Sequence, residues 1–160
     1  MEKLNSEWTD SLGATYYSGF ITEKNNEAPV MFERNGYYYL LYGHTCCFCR
    51  HGSNAYVSVA KNPLGPWTSS GIDLNPEQSG WLEKDHVAKG QNSFVILVAQ
   101  ADGSTGYVFV SDLWSSANDN LKSHDHQFWQ QLVFDDSVDP PTIKPFEWRE
   151  TCDLDLGINA

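Results

Sequence analysis

Asn35-Gly36 stands between two short apolar runs, Pro29 to Glu33 and Tyr37 to Tyr42. Asn-Gly between such runs is the strongest short-range hairpin signal, because a type I′ turn needs positive φ at both central residues. The pattern continues along the chain. Ala14 to Ile21 reads as a strand ahead of the hairpin, and Asn54 to Ala60 as one after it. Pro63 to Pro66 makes a turn before a strand near Trp67. Ser93 to Gln100 and Gly106 to Ser111 flank Asp102-Gly103-Ser104, a second hairpin. Gln127 to Asp135, Thr142 to Trp148 and Thr151 to Leu156 complete the set. No segment combines a sustained helical period with capping signals. Short strands separated by turn signals predict an all-β sandwich, barrel or propeller.

A faint internal repeat separates these options. Asn26-Glu27-Ala28-Pro29-Val30-Met31-Phe32 aligns with Gly90-Gln91-Asn92-Ser93-Phe94-Val95-Ile96, so that Glu27 falls on Gln91, Val30 on Phe94 and Phe32 on Ile96. Each segment runs into a glycine-containing hairpin and then an aromatic strand. The offset suits a four-stranded propeller blade with loops. In a propeller the entries of the innermost strands converge near the axis on one face. Glu27 and Gln91 are therefore expected at one place, and a polar residue there is a candidate ligand contact. A solvated loop-to-strand residue is the plainer reading of either.

Composition narrows the partner. The 160 residues include 21 acidic and 10 basic side chains, a formal charge of −11. Nucleic-acid binding needs a basic footprint, and so does an anionic membrane surface; neither partner is expected. The longest apolar run, Phe94 to Ala99, is too short to span a bilayer. Met1 to Asp10 has no apolar core of a secretory signal, so an extracellular location requires a signal upstream of this Met. Six Trp and eight Tyr suit strands, and their faces suit sugar rings.

Cys46, Cys47 and Cys49 cluster between His44 and His51, and Cys152 lies far away. Cys46 and Cys49 have a metal-ligand spacing, but the second pair of a structural zinc site is missing. Buried thiols, or a disulfide to Cys152, rank ahead of a metal. His124-Asp125-His126 also has metal-binding residue types. Asp135, Asp136 and Asp139 before Pro140-Pro141 read as a solvated loop.

Glu27-Ala28-Pro29 followed by Asn35-Gly36-Tyr37-Tyr38-Tyr39-Leu40 resembles family 43 glycoside hydrolases, which are five-bladed β-propellers. Asn62-Pro63-Leu64-Gly65-Pro66-Trp67 resembles a turn of that family. Gln91 to Val95, Tyr107 to Trp114 and Phe128 to Phe134 resemble its exo-β-1,3-galactanase-like branch. The likeness runs from about Leu4 to the C-terminus. Its register implies roughly blades 3 to 5 of a five-bladed propeller, hence an incomplete one. Residues 1–22 would end blade 2 or form a linker, 23–88 would be blade 3, 89–135 blade 4 and 136–160 part of blade 5.

The resemblance implies hydrolysis of glycosidic bonds by inversion, in β-galactan or in arabinan- or xylan-type polysaccharide. It implies Glu27 as general acid and Gln91 as the group that positions water. It implies a sugar contact at Thr45; His44 ends the same strand and is expected on the same face, and Trp81 and Trp114 are candidate sugar platforms, although core packing is the plainer role for each. The base Asp and a second Asp would lie in blades 1 and 2, outside this register, so activity of this chain alone is left open. No cofactor is expected, although some members hold an axial calcium. The alternatives are a non-catalytic carbohydrate-binding propeller, an inactive fragment, or a piece that self-assembles through open sheet edges.

Overall fold

The computed structural model describes residues 1–13, 21, 26–44, 51–78 and 85–156. The expected strand over Ala14 to Ile21 and the Cys46, Cys47 and Cys49 cluster lie outside the described residues, apart from Ile21 itself. So does Trp81.

Three antiparallel sheets form among the described residues. β1 (Asn26–Arg34), β2 (Tyr37–His44), β3 (Tyr56–Ala60) and β4 (Thr68–Asp73) pair in chain order as a four-stranded meander. β5 (Asn92–Ala99), β6 (Thr105–Leu113) and β7 (His126–Gln131) form a three-stranded meander. β8 (Phe134–Asp135) and β9 (Thr142–Ile143) make a short two-stranded ladder. A single 3-10 turn at Lys122–His124 is the helical structure described. The molecule is all-β, and among the described residues its sheets do not close on themselves.

The hairpins form where turn chemistry directs them. Asn35 and Gly36 both hold positive φ, 52° and 76°, as a type I′ turn demands. The Glu33 carboxylate accepts the Gly36 amide at 2.6 Å. In the second hairpin Gly103 has φ 81°, and the Gln100 amide donates to the Ser104 carbonyl at 2.9 Å.

Some expected strands are divided, shortened or absent. Gln127 to Asp135 is divided: the Leu132 amide adds one more bond to β6, at the Tyr107 carbonyl, 2.7 Å, after which Phe134–Asp135 pairs with β9 instead. Thr142 to Trp148 keeps only Thr142–Ile143. Pro145 has no amide to donate, and the Phe146 amide goes to the Leu74 carbonyl at 2.7 Å. Thr151 to Leu156 is not a strand; one backbone bond, from the Ala101 amide to the Asp155 carbonyl, ties it to the second hairpin.

An aromatic seam joins the sheets. Phe32 of β1 stacks on Tyr39 of β2 with ring centres 5.1 Å apart, and meets Tyr107 of β6 at 5.3 Å. Phe134 stands edge-on to all three rings. The Arg34 guanidinium lies 4.0 Å over the Phe134 ring and holds Asp136 through two bonds of 2.6 and 2.8 Å. Tyr37 donates its hydroxyl to Asp139 at 2.8 Å. The acidic loop expected to be merely solvated is therefore tied to β1 and β2. A second cluster of Phe109, Phe128 and Phe146 anchors the segment after β9.

Candidate functional site

The entries of the two inner strands are built alike. Glu27 pairs with Gly43 and Val30 with Leu41, so β1 carries one extra residue between them. Asn92 pairs with Ser111 and Phe94 with Val110, so β5 carries one extra residue as well. Such a bulge bends the strand and re-aims the side chains beside it. In β1 the cost is visible as positive φ, 53°, at Ala28.

The two bulged entries meet. The Gln91 amide nitrogen donates to Glu27 Oε2 at 3.0 Å, across 64 residues of chain. Both side chains are half-buried. This bond fixes the orientation of the carboxyl group and of the amide together. Next to Gln91, Asn92 is 7% exposed, and its Nδ2 has no acceptor among the described residues. A buried donor left in that state costs about 1–3 kcal/mol, so such atoms mark places where a ligand or water oxygen is favoured.

His44 sits opposite Asn26 at the end of β2, is exposed, and packs its ring 5.1 Å from Tyr56. It is thus one residue from the Gly43 that pairs with Glu27. Thr45 lies outside the described residues. Trp114 does not present an open ring face. It is 4% exposed, its indole N–H donates to Asp112 at 3.0 Å, and the Lys122 ammonium lies 5.2 Å over the ring. The pattern of a strand-end tryptophan was legible, but its burial depends on what packs over it.

The scaffold that brings Gln91 to Glu27 was not visible in the sequence. Asn75 is 2% exposed and bridges two connections. Its Nδ2 donates to the Ser53 and Ala88 carbonyls, both at 2.8 Å, and its Oδ1 accepts the Ala88 amide at 2.7 Å. The Ser53 amide then donates to the Gly90 carbonyl at 3.0 Å. The connection leaving β2 and the one entering β5 are thereby locked side by side. At Gly90 the backbone of β6 comes so close that an added Cβ would lie 1.9 Å from the Asp112 carbonyl oxygen. Only glycine fits there, directly before Gln91.

A charged group supports the same connection. Asp85, 5% exposed, accepts from His51 Nδ1 at 2.7 Å and also pairs with the Lys89 ammonium. Burial acts to raise the pKa of Asp85. The hydrogen bonds to Lys89 and His51 outweigh it and hold the carboxyl below its ordinary value. His124 lies in the 3-10 turn with Nδ1 on Asp119 at 2.7 Å, whereas His126 begins β7. Among the described residues no three His, Cys, Asp or Glu side chains gather as metal ligands.

No protein-family model and no curated protein matches the sequence. The fold, however, matches solved structures of glycoside hydrolases. An exo-β-1,3-galactanase from Clostridium thermocellum matches with TM-score 0.56 and 23% identity, over 74% of this chain and 23% of that one. An exo-β-1,3-galactanase from Phanerochaete chrysosporium, solved with galactose, matches with TM-score 0.59 and 19% identity, over 89% and 28%. A thermostable family-43 glycoside hydrolase matches with TM-score 0.56 and 19% identity, over 94% and 48%. The chain thus spans about a quarter of the length of the two galactanases. Its structural neighbours are glycoside hydrolases of family 43, as the sequence motifs led one to expect.

Proposed function

We propose that this chain is part of a family 43-type propeller that cleaves β-linked galactose polymers with inversion, with Glu27 as general acid and Gln91 as the group that orients the water. The bond between Gln91 Nε2 and Glu27 Oε2 is the observation that carries this reading. It places a carboxyl group and a neutral amide at one point, on the entries of two inner strands. The likeness to galactanase structures supports the choice of sugar; the fold itself is shared with other family 43 enzymes.

The chemistry follows from what each group can do. A carboxylic acid protonates the departing glycosidic oxygen, which relieves the charge that develops there as the bond breaks. With Oε2 held by Gln91, the transferable proton belongs on Oε1. Gln91 is no base, but its amide offers both a donor and an acceptor, enough to orient a water. Asn92 Nδ2 adds a donor for a sugar hydroxyl, and His44 borders the same strand ends. Inversion needs a second carboxylate, about 6.5–9.5 Å from the first, to activate that water. In this reading it comes from propeller strands beyond those described here, and so does any carboxylate that tunes Glu27.

The test is hydrolysis of β-1,3-galactan by the native protein, with the anomeric form of the first product read by NMR. Glu27→Gln is expected to lower kcat by about 10²–10⁴. A variant with the wild-type rate overturns the assignment of Glu27.

A further inference from the structure

β7 is the last strand of its sheet, and among the described residues no strand pairs with its outer side. The Leu132 amide bonds to β6, so by the alternation of an antiparallel ladder Gln130 and Phe128 bond to β6 as well. Gln127, Trp129 and Gln131 therefore turn their backbone N–H and C=O groups outward. A row of such groups is a template for one more strand.

The edge is unguarded. Edge strands are ordinarily blunted by charge, by proline, by a bulge or by a cover. His126-Gln127-Phe128-Trp129-Gln130-Gln131 contains no Lys, Arg, Asp, Glu or Pro. The other end strands of the two large sheets are protected. β1 carries Glu27, Pro29 and Glu33, and β5 lies against β1. β4 has a register shift beside it and Gly71 at φ 69°. The side chains next to the β7 edge are open too. Trp129 is 46% exposed, and Val110 and Phe94 continue its row across the sheet. A hollow of about 320 Å³ lies beside this edge, bordered by Trp129, Gln131, Arg149 and Asp153, with room for side chains of an added strand.

The outward residues point to the occupant. Their order, Gln-x-Trp-x-Gln, reads the same in both directions. If the strand pairs antiparallel with its own copy about a two-fold axis at Trp129, Trp129 faces Trp129 and each Gln127 faces a Gln131. Amide facing amide can donate and accept at once, and ring facing ring buries apolar surface. Charge favours the same place. Each chain has a formal charge of −11, so two copies repel except where they meet through an uncharged surface. An unrelated extended partner would need no such symmetry.

We propose that two copies of this chain pair through β7, antiparallel and centred on Trp129. The pair exchanges roughly six backbone hydrogen bonds, two for each facing couple of residues. The contact closes at two copies, because each edge is used up by the other. It is independent of the chemistry of Glu27 and Gln91.

Sedimentation velocity of the 160-residue chain with designed charges tests the pairing and its register. The wild type is expected to be a dimer at micromolar concentration. Gln127→Lys with Gln131→Lys sets Lys against Lys at both ends and is expected to weaken association about tenfold or more. Gln127→Glu with Gln131→Glu is expected to do the same. An equimolar mixture of the two variants is expected to restore the dimer, because each Lys then faces a Glu. Gln127→Lys with Gln131→Glu in one chain is expected to pair with itself, which only the antiparallel register allows. A monomeric wild type overturns the proposal. So does a Lys-Lys variant that associates as the wild type does, or a mixture that stays monomeric.

Discussion

Gly90 is the residue on which the site's geometry turns, because it lets the β6 backbone pass against the segment that carries Gln91. Gly90→Ala is expected to cost on the order of 3–5 kcal/mol in urea unfolding, since the clash is with backbone rather than a flexible side chain. Asn75→Ala leaves the Ser53 and Ala88 carbonyls and the Ala88 amide without their buried partner. About 2–4 kcal/mol of lost stability is expected in the same measurement. Asp85 adds a pH dependence. Its folded-state pKa is lowered, so its contribution is present above the unfolded value of 3.8 and is lost as pH falls through the folded one. The stability gap between wild type and Asp85→Asn should therefore be largest near neutral pH and shrink on acidification below about pH 4. A gap that widens in acid contradicts this assignment. Asn75 and Asp85 carried no signal in the sequence, since Asn and Asp in loops are commonplace and their partners are set by other segments.

Strands and turns followed from local pattern wherever a partner strand was available. The Asn35-Gly36 hairpin formed as its turn residues require, and β1 buries Val30 and Phe32 while Met31 between them is exposed. Thr151 to Leu156 has alternation too, but among the described residues no strand alongside it supplies a ladder. The β1 and β5 bulges were partly legible: the alignment of Glu27 with Gln91 placed both at strand entries, but not the extra residues that turn them toward each other. At this scale the Phe109, Phe128 and Phe146 cluster is the joint for the segment after β9. Phe109→Ala, at a position 1% exposed, is expected to cost about 3–5 kcal/mol by denaturant unfolding and to loosen Phe146 and Trp148 together.

At the scale of the molecule, the sheets stay open among the described residues, and Met31, Phe94 and Leu97 of β1 and β5 are 45–61% exposed. Exposed apolar side chains beside unpaired strand edges favour association. The 160-residue chain is expected to sediment as more than a monomer at micromolar concentration, and Phe94→Ser to shift it toward monomer; a concentration-independent monomer would count against this. Periodicity, turn residues and one repeated register determined by themselves that the chain is all-β and that Glu27 and Gln91 belong at equivalent strand entries. Those features are local, or recur along the chain, and need no knowledge of what packs against what. The tertiary structure alone decided the Gln91–Glu27 bond, the burial of Trp114 and the tie between the acidic loop and Arg34. Each depends on which distant segments meet, and a residue's own neighbourhood in sequence specifies the face it turns but not the partner that face will find.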